Sequence, residues 1–390
     1  MGESRATQSG PATAFRWTDG TGMTPLLASF PALAGAVPRG ISDDGGTVLL
    51  STGQLWTDRS GVEEILSPDF LGLRSLVIRE GALSADGDVF AFHGTNAAGD
   101  RRAVRWTFGG GSVILDTLGG DQALVLGISA DGSTVIGSSQ RANGDFAPCR
   151  WTQAGGVEEV SFPSLGGGSI ALRRVSADGT RVLAEFGGSF AVPRGLYLWD
   201  ESGPAQLVLE EGMMNISGFE VEAMSADGRS IACTVQETTL ALRSGLWTEA
   251  YGLRFILPPP PFNPSAARAF DLSDDGMVMS GSFSGERFVV SEPWTDPILI
   301  GRPGSGGVRN QLSGDGHVTF GAYTFGSAIE RFYVRVDTPV GRTVCLSEPN
   351  SAGCRGHMSV QGSAILTDND LSLRASEIPL FTVGLFLASR

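Results

Sequence analysis

The chain has 390 residues, and its 42 acidic residues outnumber the 28 Lys and Arg residues, for a formal net charge of −14. A surface of that charge repels phosphate backbones, which excludes nucleic acid as an expected partner. No stretch approaches the roughly 18 consecutive apolar residues of a membrane-spanning helix, so no membrane span is predicted. Glycine accounts for 55 residues and charged residues for only 18%, a balance typical of all-β proteins with many tight turns.

One short phrase recurs along the chain: an apolar residue, then Ser, a variable residue, Asp and Gly. The aspartates of its seven copies are Asp44, Asp86, Asp131, Asp178, Asp227, Asp275 and Asp315. Consecutive copies lie 40 to 49 residues apart, a period that is typical of repeat architectures. Asp-Gly between two β-prone runs indicates a hairpin turn, and the Ser ahead of it can hydrogen-bond the turn backbone. We therefore predict one structural repeat for each copy.

Tryptophan marks the same repeat. All seven stand in a similar setting, most often Arg-Trp-Thr or Leu-Trp-Thr, and they are Trp17, Trp56, Trp106, Trp151, Trp199, Trp247 and Trp294. A turn containing Gly commonly follows, and then a short apolar run. Because an indole buries a large area, we expect these side chains to fill the gaps between neighbouring repeats.

The third copy shows how one repeat folds. Its four predicted strands cover about Ala123–Ser129, Thr134–Ser139, Phe146–Thr152 and Val157–Phe162. Asp131-Gly132 makes the first turn, a polar loop the second and Gly155-Gly156 the third. Helical periodicity is nearly absent from the chain.

Four antiparallel strands in about 45 residues fit one blade of a β-propeller. The predicted fold is therefore all-β, with a propeller of seven four-stranded blades over residues 14–336, the count being open by one. A parallel β-helix competes, but its rungs are shorter and lack three hairpin turns. Residues 14–28 supply a third and a fourth strand that can complete the last blade. If residues 331–336 are instead that blade's third strand, only the fourth comes from the N-terminus.

The repeat resembles the bacterial HAF repeat, named for a His-Ala-Phe triplet before Arg-Trp. The resemblance rests on the phrase at 128–137 and on Ala147-Pro148-Cys149-Arg150-Trp151-Thr152, and the triplet is degenerate here, as in Phe146-Ala147-Pro148. It covers roughly residues 14–336 and implies a propeller of an extracellular or cell-surface protein. The Ser-x-Asp-Gly turn also resembles that of TolB-type propellers, which mostly bind proteins. Residues 1–12 themselves lack the basic and apolar regions of a signal peptide.

A second module is predicted over residues 340–390. Its pattern of Cys345, Pro349-Asn350-Ser351, Gly362-Ser363 and Asn369-Asp370-Leu371 is similar to a β-sandwich-like module at the C-termini of bacterial secreted proteins. The match covers the front part of that module, so we expect a truncated copy. A disulfide between Cys345 and Cys354 is feasible by spacing, whereas the resemblance implies a partner for Cys345 further along.

The sequence predicts no catalytic residue, no metal site and no cofactor. One Asp per turn, on turns spread around a ring, does not supply the six to eight oxygen ligands of calcium, so each Asp is expected to stabilise its own turn. Cys149 and Cys233 fit buried core thiols. The three His residues have no second His at ligand spacing, and adjacent acids such as Glu158-Glu159 are expected to be solvated edge charges.

A ligand is expected at the end of the propeller that carries the second loop of each blade and the connections between blades. These loops vary most, and variable loops on a rigid scaffold are where function concentrates. Four arginines on them are the candidate ligand-binding residues: Arg101, Arg102, Arg141 and Arg194. The predicted function is a non-catalytic scaffold that binds a protein or a glycan. The alternative is a carbohydrate-active enzyme, a polysaccharide lyase or hydrolase, which requires convergent carboxylates, His or Tyr at that end. The residues indicate no oligomeric state.

Overall fold

The structure is a computed structural model. It describes residues 2–5, 12–18, 22–27, 35–58, 60–64, 72–79, 82–163, 169–187, 193–258, 263, 266–291, 297–300, 311–325, 328–335, 357–361 and 372–376. The following statements about structure concern these residues.

The strands form antiparallel sheets that follow one another along the chain. The N-terminal sheet contains β1 (Gly2–Arg5), β2 (Ala12–Thr18) and β3 (Gly22–Pro25). Blade 1 contains β4 (Pro38–Ile41), β5 (Thr47–Leu50), β6 (Gln54–Thr57) and β7 (Gly61–Glu64). Blade 2 contains β8 (Leu73–Val77), β9 (Val89–Asn96), β10 (Arg101–Thr107) and β11 (Gly111–Ile114). Blade 3 contains β12 (Gly119–Ile128), β13 (Thr134–Arg141), β14 (Phe146–Thr152) and β15 (Gly156–Glu159).

The second half of the chain repeats this arrangement. Blade 4 contains β16 (Ser169–Val175), β17 (Arg181–Gly187), β18 (Gly195–Asp200) and β19 (Gly203–Glu210). A single 3-10 turn, Met213–Asn215, leads to blade 5, with β20 (Ile216–Met224), β21 (Ser230–Glu237), β22 (Leu242–Thr248) and β23 (Gly252–Phe255). Blade 6 contains β24 (Ala267–Leu272), β25 (Val278–Phe283), β26 (Glu286–Ser291) and β27 (Ile298–Ile300). Blade 7 contains β28 (Gln311–Leu312), β29 (Val318–Phe325) and β30 (Ala328–Arg335).

This architecture is an all-β propeller, as the repeats predict. Each of blades 1 to 7 carries one Ser-x-Asp-Gly turn between its first two strands. In blade 3 the predicted third strand, 146–152, agrees with β14, whereas the fourth, β15, ends earlier than predicted. Residues up to 335 supply the third strand of blade 7 themselves, because β30 pairs with β29. In the described part of the chain, β2 pairs with β1 and β3 and not with blade 7.

The turn phrase stabilises itself through its own side chains. In blade 4 the Ser176 hydroxyl donates to Asp178 Oδ1 at 2.7 Å and accepts the Arg181 N–H at 2.9 Å. The same Asp oxygen accepts the Thr180 N–H at 3.1 Å. Gly179 takes a positive φ of 74°, which glycine adopts without steric cost. All seven copies repeat these contacts, so the predicted structural role of the aspartates is confirmed.

Backbone hydrogen bonds join the seven turns in succession. The N–H of Asp43 donates to the carbonyl of Ala85 in the next turn at 2.7 Å, and Ala85 N–H donates to Ala130 at 2.7 Å. The same step recurs through the remaining turns, ending with Asp274 N–H on the Gly314 carbonyl at 2.7 Å. These six bonds tie each blade to its successor at one end of the propeller.

The apolar core lies between blades. Each buried cluster combines residues of two consecutive sheets; one joins Val89, Ala91 and Ala103 of blade 2 to residues of blade 3 that include Trp151. Trp151 is 3% exposed and donates from Nε1 to the Asp116 carbonyl at 2.7 Å. Trp106 and Trp247 are buried in the same way, which confirms the predicted wedge role for these indoles.

The other four tryptophans differ from this pattern or lie outside it. Trp56 and Trp199 are only partly buried, although both pack against the apolar clusters between sheets. In blade 6 the register places Val290 where blades 1 to 5 have Trp, since Val278 pairs with Ser291 as Thr134 pairs with Thr152. The repeated setting assumed for Trp294 is therefore wrong for the third strand, which ends at Ser291; Trp294 itself lies outside the described residues. The side chain of Trp17 also lies outside the described part of the structure.

Little of the predicted C-terminal module, 340–390, is described. Within it the structure shows one hairpin, β31 (His357–Gln361) paired with β32 (Ser372–Ser376). Cys345 and Cys354 lie outside the described residues, so their pairing stays a prediction. Cys149 and Cys233 are buried free thiols, as predicted, and burial raises the pKa of Cys233 to about 12. None of the described helices is both long and apolar enough to cross a bilayer.

Candidate functional site

The two ends of the propeller are built differently. In a four-stranded antiparallel blade, the first and third turns lie at one end, and the second loop and the connection to the next blade lie at the other. We call the end with the Ser-x-Asp-Gly turns the turn end and the other the loop end. Since binding residues concentrate on loops held by a rigid scaffold, the loop end is the candidate functional face.

Blade 6 has an unusual second loop. In blades 2, 3 and 5 this loop has four residues between strands and is closed by the same pair of backbone hydrogen bonds, for example Arg141 N–H on the Asp145 carbonyl at 2.8 Å. In blade 6 only Ser284 and Gly285 separate β25 from β26, with φ values of 50° and 91°. Two positive φ angles are typical of a type I′ hairpin turn, and the loop is two residues shorter than those of blades 2, 3 and 5.

The four predicted arginines lie at the loop end, on three different blades. Arg101 is exposed at the start of β10, and Arg102 Nη2 lies 3.7 Å from Asp100 Oδ2. Arg141 makes a bidentate pair with Glu159, with Nε to Oε2 at 3.0 Å and Nη2 to Oε1 at 2.5 Å. Glu159, expected to be a solvated edge charge, is thus an ion-pair partner on β15.

Arg194 serves a contact between blades 4 and 5. Its Nε donates to Glu185 Oε1 at 2.6 Å, and its guanidinium carbon lies 4.4 Å from the centre of the Phe219 ring. Arg173 donates to the other oxygen of Glu185 at 2.9 Å. A ligand-binding role for Arg101, Arg102, Arg141 and Arg194 stays a prediction, and three of the four have a carboxylate partner within the chain.

His93 lies within strand β9 of blade 2. Its Nδ1 accepts the N–H of Val125 at 3.3 Å, which ties blade 2 to blade 3. Burial, together with the charges of Arg79 and Arg101, lowers the pKa of His93 to about 4. The imidazole is therefore neutral at neutral pH and has a structural contact.

A pocket of about 350 Å³ lies beside the short turn of blade 6, within the size range of small-ligand sites. Its described lining combines two guanidinium groups, serine hydroxyls and apolar surface. The lining residues are Leu242, Ala266, Arg268, Phe270, Ser282, Ser284, Gly285 and Arg287. We call it the Arg287 pocket.

Arg287 is the unusual member of this pocket. It is 5% exposed, and its Nε and Nη2 are buried without a hydrogen-bond partner. Its guanidinium carbon lies 5.1 Å from the centre of the Phe270 ring. Burial lowers the pKa of Arg287, and the neighbouring Glu286 charge opposes this effect. An arginine nevertheless stays charged in proteins, so the pocket contains a buried cation.

Arg268 and Ser282 share the sheet face of Arg287. The register pairs Arg268 with Ser282 and Ser282 with Arg287 across three neighbouring strands, and directly paired residues project to the same face of a sheet. Arg268 Nη1 lies 3.7 Å from Glu220 Oε2, and its side chain is 46% exposed. The pocket thus has one buried and one exposed guanidinium in a single row, suited to holding an anion.

Sequence reasoning missed Arg287. The preceding stretch Gly281-Ser282-Phe283-Ser284-Gly285 has Phe283 at its centre and is not a nucleophile elbow, so it does not mark a site. The available signal was positional, since the residue three before the repeat's Trp is uncharged in blades 2 to 5, whereas the register places Arg287 at that position in blade 6. Recognising it required the register of β26, because Trp294 suggests a different alignment. Groups of three or more His, Cys, Asp or Glu able to hold a metal are absent among the residues described.

No model of a known protein family and no curated protein sequence matches the chain. Solved structures resemble it at low identity. Dipeptidyl peptidase 4 of Porphyromonas gingivalis aligns with a TM-score of 0.59 and 12% identity, over 85% of this chain and 56% of that chain. Oligogalacturonate lyase of Vibrio parahaemolyticus aligns with a TM-score of 0.51 and 10% identity, over 86% of this chain and 96% of that chain.

Apo prolyl oligopeptidase B of Galerina marginata gives a TM-score of 0.51 and 10% identity, over 86% of this chain and 60% of that chain. The chain therefore spans little more than half the length of these two peptidases. At such identities the similarity shows the fold alone, which is that of a β-propeller.

Proposed function

We propose that this chain is an extracellular or cell-surface propeller of the HAF-repeat kind that acts as a non-catalytic binding scaffold for a protein or a glycan. The observation that carries the proposal is the Arg287 pocket, a concave site with a buried unpaired cation at the loop end. The turn end supports it, because six backbone hydrogen bonds between successive turns hold the blades in a rigid frame. A rigid frame reduces the ordering cost of binding at the loops.

The alternative proposal is a carbohydrate-active enzyme, a polysaccharide lyase or hydrolase. It is supported by the similar fold of the Vibrio parahaemolyticus oligogalacturonate lyase, most of whose chain aligns with this one. The lining of the Arg287 pocket favours the scaffold. Guanidinium and hydroxyl groups bind and orient a ligand, whereas hydrolysis of a glycoside generally uses two carboxyl groups placed across the bond.

The test uses the full chain, immobilised on arrays of glycans and of surface proteins, together with a polysaccharide-degradation assay on the same glycans. Saturable binding to at least one class, without release of shorter or unsaturated products, is the expected result. Product release that scales with protein concentration would replace the scaffold with the enzyme. If neither array shows binding above the level of heat-unfolded protein, the scaffold proposal is wrong.

A further inference from the structure

In blades 2 to 5, the position of Arg287 is occupied by small or apolar residues. Counting back three residues from the Trp of the third strand gives Ala103, Pro148, Leu196 and Ser244 in blades 2 to 5. Ala103 and Leu196 belong to the apolar clusters that join their blades to the next. The packing of the repeat therefore does not require a charge at this position.

A charge placed there is costly to the fold. Removing a cation from water without a compensating partner costs several kcal/mol on the scale of buried ions. An arginine does not relieve this cost by losing its proton. The Phe270 ring lies against the guanidinium, with the guanidinium carbon 5.1 Å from the ring centre, which offsets only part of this cost. The Nε and Nη2 donors stay without a partner, so an anion entering the pocket would gain their full hydrogen-bonding capacity.

The short turn adds a second unfavourable feature to the same pocket. Ser284 has a φ of 50°, a region that residues other than Gly, Asn and Asp rarely adopt. Blade 6 thus combines a strained serine and an unpaired arginine within one lining. Such features cluster at ligand-binding sites, where the surrounding structure holds them in place.

The strands that carry Ser282 and Arg287 limit the kinds of ligand. They are β25 and β26, the two middle strands of the four-stranded sheet of blade 6, and each is hydrogen-bonded to a neighbouring strand on both sides. An extended peptide therefore has no strand edge to pair with at these residues. The lining instead interleaves hydroxyl groups with the apolar side chains of Leu242 and Ala266, a pattern that suits a sugar ring with its hydroxyl groups and C–H faces.

From these observations we infer that the Arg287 pocket binds the carboxylate of an acidic sugar residue, with Arg287 as the buried anchor. A planar carboxylate matches the two parallel donors of a guanidinium. Arg268, exposed at the rim on the same sheet face, supplies a second positive charge, and Ser282 and Ser284 face the sugar hydroxyls. This inference rests on the proposed scaffold function and names the ligand class of its site.

The test measures binding of a galacturonic acid trimer to the full chain by isothermal titration calorimetry, with the neutral galactose trimer as the matched ligand. We expect the acidic trimer to bind at least 10-fold more tightly than the neutral one. Arg287→Met should weaken binding of the acidic trimer by at least 10-fold while the thermal unfolding midpoint stays equal or rises, because a buried charge is removed. A residue with a purely structural role would lower that midpoint.

The matched control is Arg254→Met. Arg254 also stacks on an aromatic ring, Tyr251, at 4.3 Å, but it is exposed at the turn end. Its substitution should change acidic-trimer affinity by less than 2-fold. If Arg287→Met does not fold, Arg268→Gln replaces it, since Arg268 is half-exposed; a loss of about 3-fold or more supports the inference.

Equal affinity for the two trimers would overturn the inference, as would unchanged binding by Arg287→Met or, in its absence, by Arg268→Gln. Binding of an acidic peptide but not of the acidic trimer would also overturn it. The arrays separate these results from failure of the scaffold itself. If the chain binds some other glycan or a protein and Arg287→Met binds it equally well, the scaffold stands and only the acidic-sugar assignment fails.

Discussion

Ser273 and Arg287 are both buried in blade 6, one at each end of the propeller. At the turn end, the Ser273 hydroxyl donates to Asp275 at 2.6 Å and accepts the Val278 N–H at 2.9 Å. At the loop end, two nitrogens of Arg287 have no partner. All seven turns share one set of contacts, whereas the second loop has four residues in blades 2, 3 and 5 and two in blade 6. The turn end therefore stabilises the frame, and the loop end is free to vary.

The largest expected effect on stability comes from making the same substitution, Gly to Ala, at each end of the propeller. At the turn end, a Cβ on Gly179 would lie 2.2 Å from Thr134 Oγ1, and the residue has a φ of 74°. At the loop end, Gly144 has a φ of 92°, and a Cβ there meets nothing within 4 Å. Gly179→Ala should cost roughly 2–5 kcal/mol of unfolding free energy from strain plus overpacking, and Gly144→Ala about 1–2 kcal/mol from strain alone.

Urea denaturation of both variants and the wild type measures this difference. The two glycines act as each other's control, because both substitutions force alanine into the left-handed region. Equal losses for Gly144→Ala and Gly179→Ala would contradict the idea that the turn end is packed more tightly against its neighbouring blade.

Most of the frame could be predicted from sequence because its determinants are local and repeated. Asp131-Gly132 signals a hairpin, and the period of the seven copies signals blades. The chain ends were harder to place. From the sequence, residues 331–336 were compatible with two ways of completing the last blade. The pairing of β30 with β29 decides between them, because it makes β30 the third strand of blade 7. The sequence of a single repeat also does not reveal the backbone hydrogen bonds that join its turn to the next turn.

The candidate site was not predictable in the same way. Arg141 and Arg194 were candidates because they lie on predicted exposed loops. The sequence does not reveal the carboxylate that each of them contacts. Their partners, Glu159 and Glu185, lie 18 and 9 residues away and are brought close by strand register. Arg287 carries no sequence motif that would reveal its burial. The sequence predicts a ligand at the loop end but does not single out Arg287 there.

An intermediate effect concerns the charge that stabilises the turns. The Ser176 hydroxyl donates to Asp178, which lowers the pKa of that carboxyl despite some burial. A lowered pKa in the folded state stabilises the fold above the unfolded-state value near 4, and this stabilisation is lost as the pH falls through the folded-state pKa. Asp178→Asn should therefore lose less stability than wild type between pH 5 and pH 2, by under about 1 kcal/mol because the group is exposed and screened.

Urea denaturation across that pH range measures the difference, and Asp121→Asn, which changes an exposed carboxylate on strand β12 of blade 3, is the control. An identical acid profile for wild type and Asp178→Asn would mean that the turn carboxylate stabilises the folded state through geometry and not through its charge.

The smallest expected effect lies at the loop end, in the ion pair between Arg141 and Glu159. Both side chains are 39% exposed, and exposed pairs contribute about 0.2–1 kcal/mol even with bidentate geometry. A double-mutant cycle with Arg141→Ala and Glu159→Gln should give a coupling energy in that range. Because solvent ions screen exposed charges, raising NaCl to about 1 M should reduce it further. A coupling above about 2 kcal/mol that resists salt would show that blade 3 is as firmly tied at its loops as at its turns, and the contrast between the two ends would then hold only for blade 6.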